Sequence, residues 1–586
     1  MKKNIYLFVA LLINQNIWAI PFITTWKTNN TGTSNTTSIT IPTIGTGYNY
    51  DVDWNNDGTF EQTGLTGNVT HDYGTAGTYT VAIRGDFPRI YFNYGGDRAK
   101  LLSIDQWGDI VWTSMANAFY GCSNMVLNAT DAPNTASVTD MSYMFSDCSV
   151  YNQALPANFN TDNVTNMNNM FAFCTIYNQA LPANFNTNKV TNMSYMFAGC
   201  RAYNQVLPTN FNTSTVTNMG YMFSGCRAYN QALPANFNTM AVINMGSMFA
   251  DCRAYNQAFP TNFNTSGVTN MSYMFHNCYV YNQILPANFN TANVTNMSYM
   301  FNGCRVYNQA LPANFNTAAV TNISYMFAGC TAYNQALPTN LNTAAVTNMS
   351  NMFSSCNAYN QAFPANLNTA NVTNMSSVFS GCNTYNQALP ANFNTTKVTD
   401  MSYMFAFCGA YNQTLPANFN TAAVTNMSYM FAGSPAFNQN VGAFNIANVT
   451  NMTNIFYNTG ISTTNYDNIL IAWNAAGYTN KNLESVSPLT YCAGQAARTN
   501  MTTNKGWTIT GDTYTNVCPV KSIVSGNWAV SSTWNVGRVP QAGDNVIIDN
   551  NHIVTLDGIR TIKNLECRGT GQLKFNSSNS KLEVGL

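Results

Sequence analysis

From Tyr151 to Gly433, apolar and polar side chains fall in a pattern that returns every 26 residues. The unit reads Tyr-Asn-Gln-Ala-Leu-Pro-Ala-Asn-Phe-Asn-Thr-x-x-Val-Thr-Asn-Met-Ser-Tyr-Met-Phe-x-x-Cys-x-x, and Leu, Phe, Val, Met, Met, Phe and Cys are its repeated apolar positions. It opens at Tyr151 and again at Tyr177, Tyr203, Tyr229, Tyr255, Tyr281, Tyr307, Tyr333, Tyr359, Tyr385 and Tyr411. A divergent copy follows at Phe437 and a degenerate one precedes at Met115–Cys122. A constant period without insertions predicts a solenoid over 115–460, in which each coil buries its apolar face only against its neighbours. Within a coil, Val-Thr-Asn-Met predicts a short strand and Ser-Tyr-Met-Phe-x-x-Cys a helical turn. The rest forms a returning arm whose Pro and Asn suit turns. Asn side chains stacked from coil to coil can satisfy one another.

The flanks read differently. In 20–86, Thr78-Tyr-Thr-Val-Ala-Ile83 alternates between glycines as a strand between turns. Residues 87–114 are expected to cap the first coil, since a solenoid end cannot leave its core bare. Residues 461–520 form the opposite cap, with one amphipathic helix at Thr464–Trp473. A last segment, 521–586, breaks off at KLEVGL, as though a larger β domain continued beyond it.

Composition then narrows the class. The 586 residues carry 23 basic and 23 acidic side chains, net zero, and only 8% are charged, against about 25% in ordinary domains. That balance argues against nucleic acid as the main partner. With 13% aromatic residues the chain can bury surface rather than remain disordered. Lys2 and Lys3 precede the apolar run Ile5–Ile13, and Ala19 offers a small residue for cleavage, so 1–19 reads as an export signal. No later run is long enough for a membrane span. A soluble, exported, surface-associated protein is expected.

The motif VTNMSYMFAGC followed by YNQ resembles the BspA-type leucine-rich-repeat surface proteins of bacteria, in the variant with a Val-Thr-x-Met-x-x-Met-Phe core. The usual acidic residue of that motif survives only at Asp140 and Asp400; Asn replaces it elsewhere, which alters surface charge rather than fold. The resemblance implies a leucine-rich-repeat-like solenoid, flanked by all-β modules, with a cell-surface location and adhesive or binding roles. It implies no catalytic residues. YNYDVDWNNDGTFEQTG with VTHDYGTAGTYTVAIRG resembles a PKD-like β-sandwich, and SGNWAVSSTWNVGRVP resembles the opening coil of β-helix or G8-like modules.

Four sets of side chains are candidates for chemistry. Nine charged residues stand between Tyr151 and Gly433, and four of them, Arg201, Arg227, Arg253 and Arg305, share the position after Cys; Tyr279 occupies it in the intervening unit. Such a column suits an anionic partner, because each guanidinium offers a fork of donors to carboxylate or sulfate; a solvated arginine copied with its unit is the plainer account. Asp53, Asn55, Asp57 and Glu61 match the start of a calcium loop, although Gly64 stands where an EF-hand has Glu. An Asn-Asp-Gly turn explains the same letters. Twelve of the fifteen cysteines form the series Cys122 to Cys408, read as a buried thiol ladder rather than cross-links. Cys492 and Cys518 flank the expected cap of an exported chain and form a candidate disulfide.

No acid/base pair, phosphate loop or nucleophile motif accompanies His71, His276 and His552, so an enzyme is not expected. The function read from the sequence is adhesion or ligand binding. Partners rank as host or matrix protein, then acidic glycan, then a second copy of the chain. The alternative is an accessory or spacer region of a carbohydrate-active secreted protein.

Overall fold

The computed structural model describes residues 19–585 apart from 314, 340, 366, 516–518, 536–538 and 543. The expected export signal lies outside the described residues but for Ala19. The chain divides after Asn264 into two compact units.

The first unit opens with eight strands: β1 (Phe22–Lys27), β2 (Ser38–Ile41), β3 (Asn49–Asp53), β4 (Gln62–Leu65), β5 (Val69–Asp72), β6 (Thr78–Asp86), β7 (Leu101–Gln106) and β8 (Val126–Leu127). Six pair in the order β4-β3-β6-β1-β7-β8, and β2 with β5 makes a second small sheet. The long alternating strand β6 lies antiparallel to β1, with Phe22 opposite Ile83 and Lys27 opposite Thr78. Between them the sheets bury Phe22, Trp26, Ile39, Ile41, Tyr50, Val52, Val81 and Ile83. Strand β7 belongs to residues expected to be a separate cap, yet it bonds to β1 in this same sheet. Its other edge meets β8 in parallel. An antiparallel sheet thus becomes a parallel stack at one strand, and the edge is covered rather than exposed.

The array is a repeat solenoid, and its coils differ in detail from the sequence expectation. The anticipated strand contracts to one bridging residue per coil, Asn166 to Asn192 to Asn218 in the first unit. The anticipated helical turn is absent, for a reason visible in the amides of Met193 to Cys200. Met193, Tyr195, Phe197 and Gly199 donate to Asn218, Gly220, Met222 and Ser224 of the following coil at 3.0, 3.0, 2.9 and 2.6 Å. Met196, Ala198 and Cys200 donate instead to the carbonyl three residues back within their own coil. A helix would direct all these amides along itself and leave none for the stack. Alternation needs left-handed residues, and Tyr195 (φ 58°) and Gly199 (φ 73°) supply them.

Polar side chains complete the ladder on the returning arm. Asn178 Oδ1 accepts from the Asn204 amide at 2.9 Å and from Gln205 Nε2 at 3.0 Å, and Asn204 serves Asn230 and Gln231 in the same way. Thr187 Oγ1 donates to the Asn212 carbonyl at 2.6 Å. Inside, Phe171 and Phe197 stack at 5.6 Å, Tyr177 and Tyr203 at 6.0 Å, and each Phe lies against the Tyr that follows it. These columns are the core: Val190, Met193, Met196, Phe197, Cys200, Tyr203 and their equivalents are buried.

The same kind of coil recurs in the second unit, with Asn296 bridging Asn270 and Asn322. Helix α1 (Thr463–Ala475) closes the array as expected, burying Tyr466, Ile469, Leu470 and Trp473. Trp473 stacks over Phe456 of the final coil at 5.9 Å. Asp467 on its buried face accepts from the amides of Cys492, Ala493 and Gly494 at 2.8, 2.9 and 2.8 Å, tying down the segment before helix α2 (Gln495–Asn504). Around the helices, β9 (Asn482–Ser485) and β10 (Thr490–Tyr491) pair in parallel with β11 (Thr508–Thr510) and β12 (Thr513–Tyr514). The remaining strands are β13 (Pro519–Lys521), β14 (Gly526–Asn527), β15 (Asn545–Ile548), β16 (Ile553–Leu556), β17 (Ile559–Ile562), β18 (Asn564–Cys567), β19 (Gln572–Phe575) and β20 (Lys581–Val584). All their pairings are parallel, in the orders β13-β15-β18, β14-β16-β19 and β17-β20, around Trp528, Trp534, Val546 and Leu556.

Candidate functional site: a groove across the coils

The repeated cysteines belong to the core and not to a site. All twelve are buried and free. From the second onward, the described thiols donate to a phenylalanine carbonyl of the preceding coil, as Cys200 Sγ does to Phe171 at 2.9 Å. Burial pushes their acidity down, to a pKa of about 12 for Cys382. They therefore remain protonated at neutral pH and are unsuited to metal ligation or attack. Where the series ends, Ser434 Oγ donates to the Phe405 carbonyl at 2.7 Å and keeps the same bond. The tyrosines that open each unit are likewise buried.

A second tyrosine, in Ser-Tyr-Met-Phe, is the one at the surface, and the sequence reading missed it by placing it in a helical turn. In the observed coil it takes the left-handed position, with φ 58° at Tyr195 and 61° at Tyr221. Their rings stack at 4.4 Å and 5°. The same stack recurs in the second unit at Tyr273, Tyr299 and Tyr325, and again at Tyr403 and Tyr429. Bulky side chains rarely adopt this backbone conformation. The available signal was substitution: Asn169, Ser247 and Asn351 stand at the same position, and Asn is a residue that tolerates φ above zero.

In the first unit these tyrosines form part of a groove of about 350 Å³, lined among others by Phe173, Tyr195, Gly199, Arg201, Tyr221, Gly225, Arg227 and Asp251. The column arithmetic of the coils lays it out. Tyr195 and Tyr221 line one side, Arg201 and Arg227 the other, and Gly199 and Gly225 the floor between them. The floor column continues as Phe173 in the coil before and Asp251 in the coil after. A Cβ on Gly199 would fall 2.6 Å from the Phe173 ring, and one on Gly225 would fall 3.4 Å from the Gly199 backbone. The half-exposed Phe173 ring therefore lies over Gly199, in the space a side chain there would fill, while Gly225 leaves the floor of the next coil open.

The electrostatics of the groove are set by its arginines. Arg201 and Arg227 are exposed. Among the described residues, neither guanidinium has an ion-pair or hydrogen-bond partner. Arg253, in the same column, lies 3.7 Å from the Asp251 carboxylate. In the second unit the two remaining candidates meet each other: the Arg305 guanidinium lies over the Tyr279 ring at 4.4 Å. Partial burial and the neighbouring Tyr221 raise the Tyr195 pKa, so its hydroxyl stays a donor through neutral pH. The five residues picked from the sequence thus take three roles: two open cations, one cation held by a carboxylate, and one cation–π pair.

A larger concavity in this unit, about 560 Å³, is lined by Asp162 and by Asn184, Asn186, Asn188, Asn210, Asn212 and Asn236. It has no cationic lining residue, and two of its amides donate within the lining, Asn186 to Asp162 at 2.7 Å and Asn212 to Asn188 at 2.6 Å. Of the two concavities, the arginine groove is the one with cationic lining residues.

In the candidate calcium loop, Asp53, Asp57 and Glu61 bring carboxylate oxygens within 4.8 Å of one another. The loop's own amides already use most of them. Asp53 accepts from Asn55, Asp57 and Gly58 at 3.2, 3.2 and 2.8 Å, Asp57 from Thr59 at 2.8 Å, and Glu61 from Trp54 at 2.9 Å. The Asn55 Oδ1 accepts from the Asp57 amide at 3.0 Å. With Asn56 at φ 57° and Gly58 at φ 94°, the letters are accounted for as a turn, whereas calcium takes six to eight oxygens. Cys492 is buried and disulfide-bonded; its expected partner, Cys518, lies outside the described residues.

No curated protein and no solved structure matches the chain. One protein family does, the one described as "Mycoplasma protein of unknown function, DUF285". It matches residues 113–234, 183–287, 207–312, 252–367, 280–391 and 362–473, which together run from 113 to 473 of the 586 residues. With more than half of the sequence covered by overlapping matches that fall on the repeats, the chain belongs to the DUF285 family.

Proposed function

We propose that the chain is an exported, cell-surface-associated binding protein whose solenoid presents the arginine groove to an acidic glycan. The observation that carries this reading is the pair of exposed arginines, Arg201 and Arg227, facing a tyrosine stack across a glycine floor. Guanidinium forks take carboxylate or sulfate in bidentate fashion, and aromatic walls favour the C–H faces of sugar rings. The resemblance to BspA-type leucine-rich-repeat surface proteins supports the location and the adhesive role. The same reading takes the N-terminal sheets as PKD-like and the C-terminal parallel strands as β-helix-like or G8-like.

A peptide ligand is less well served. Strand addition needs unpaired backbone amides and carbonyls, but the Gly199 and Gly225 amides on the floor already donate to Ser224 and Ala250, both at 2.6 Å. Recognition there falls to side chains.

The test is binding of the purified protein to an array of acidic glycans, neutral glycans and matrix proteins at low and moderate salt. The R201A/R227A double variant is run beside it. Salt-sensitive binding to acidic glycans that the variant loses is the expected result. Binding that survives the double substitution moves the site elsewhere, and retention of matrix proteins alone replaces the glycan reading.

A further inference from the structure

The geometry points to recognition of a chain end: the groove takes the terminal one or two units of an acidic sugar chain and does not run along its length. This rests on the acidic-glycan reading and adds where on the polymer the protein binds.

Three observations carry it. The open floor is short, because the Phe173 ring lies over Gly199 and Asp251 follows Gly225 in the same column. At about 350 Å³ the groove sits near the small end of the ligand-site range, roughly 300–1,000 Å³. Its two ends also differ in chemistry. Phe173 is 48% exposed, offering a ring face on which a sugar can rest. Asp251 puts a carboxylate at the other end, 3.7 Å from Arg253, where it competes with any further anionic unit for the third guanidinium of the column.

Between these ends each part has a task. Arg201 and Arg227 bind the carboxylate or sulfate of the terminal unit, one fork from each of two successive coils. The Tyr195 and Tyr221 hydroxyls donate to ring oxygens from the opposite side. Arg253, turned to Asp251, does not extend the cationic track. A groove for a running polymer would instead repeat its cation and open floor in every coil. Position 253 keeps the cation but sets it beside the Asp251 carboxylate, and position 251 breaks the open floor.

The experiment uses the full-length protein and galacturonic acid oligomers of two, three and six units, titrated calorimetrically at fixed salt, with neutral galactose oligomers as control. The expected result is one oligomer per protein, with Kd within about twofold from the dimer to the hexamer, because no second site is gained by lengthening the chain. Kd falling stepwise with oligomer length, or several proteins sharing one hexamer, overturns the inference and leaves the acidic-glycan reading intact. No binding by any galacturonic acid oligomer overturns the inference, while the acidic-glycan reading stands or falls on the glycan array. Two variants sharpen the outcome, each checked for an unchanged circular dichroism spectrum. D251N keeps a residue that tolerates the left-handed backbone, and it should lower Kd for the hexamer but not for the dimer. F173A should weaken all three oligomers alike by about tenfold, the factor that corresponds to a lost ring contact. A D251N protein that still treats dimer and hexamer equally removes Asp251 from the argument.

Discussion

At the scale of single residues, the buried columns separate side chains that bond from those that only pack. A core thiol fills space and donates one bond, so C226S should cost under about 1 kcal/mol, as the serine at 434 suggests. C226A leaves the Phe197 carbonyl without its donor at 3.0 Å and opens a small cavity, for a loss of about 1–3 kcal/mol. Thermal melts of the two variants decide it. The tyrosine beside the thiol behaves oppositely. The Tyr203 hydroxyl is buried and has no hydrogen-bond partner among the described residues, so Y203F should melt no lower than the parent and up to about 1 kcal/mol more stable. Phe437 already stands at that position in the divergent unit.

The thiols also set an alkaline limit. Burial raises their folded pKa, to about 12 at Cys382, above an unfolded value of about 8.5. Such a group's stabilisation is whole below the unfolded pKa and is lost as pH climbs toward the folded one. Stability should therefore be flat through neutrality and fall from about pH 8.5 upward, by up to about 1.4 kcal/mol per pH unit for each fully buried thiol. Circular dichroism against pH measures it. Replacing several array cysteines by serine should shallow the slope; an unchanged slope would remove the thiols as its cause.

At the scale of the element, the coil segment from Met193 to Cys200 uses alternation where a helix was expected. Left-handed residues at every fourth position direct half of the amides to the next coil. Gly225 has φ 76°, and an alanine there should cost on the order of 1–2 kcal/mol in a denaturant melt. This is where the sequence was least legible. The period, the apolar columns and helix α1 were all readable, because burial imposes the same residue type in every copy. The surface tyrosine was not, since Ser-Tyr-Met-Phe-x-x-Cys carries an apolar spacing that suits a helix equally well. The choice between the two depends on a neighbouring coil to accept the amides, and no single unit contains that information.

At the scale of the whole molecule, coils bond only to adjacent coils, so stability is a sum of nearest-neighbour terms. Deleting 333–358 in register should leave a cooperative fold in the second unit, because Tyr359 then follows Ala332 in phase. Deleting half of that stretch should split the transition in two, since the coil at the cut can no longer stack while the coils beyond it stay in register with one another. The sequence by itself determined the solenoid, its 26-residue coil, its buried Cys, Phe and Tyr columns and the arginine position, because regular burial leaves a periodic record. The groove was decided only by the tertiary structure. Phe173, Gly199, Gly225 and Asp251 stand 26 residues apart and are of three residue types, and they become one feature only when four coils stack them in a column. Whether an arginine in that column is open, paired with a carboxylate or laid over a ring depends on what the neighbouring coils place beside it.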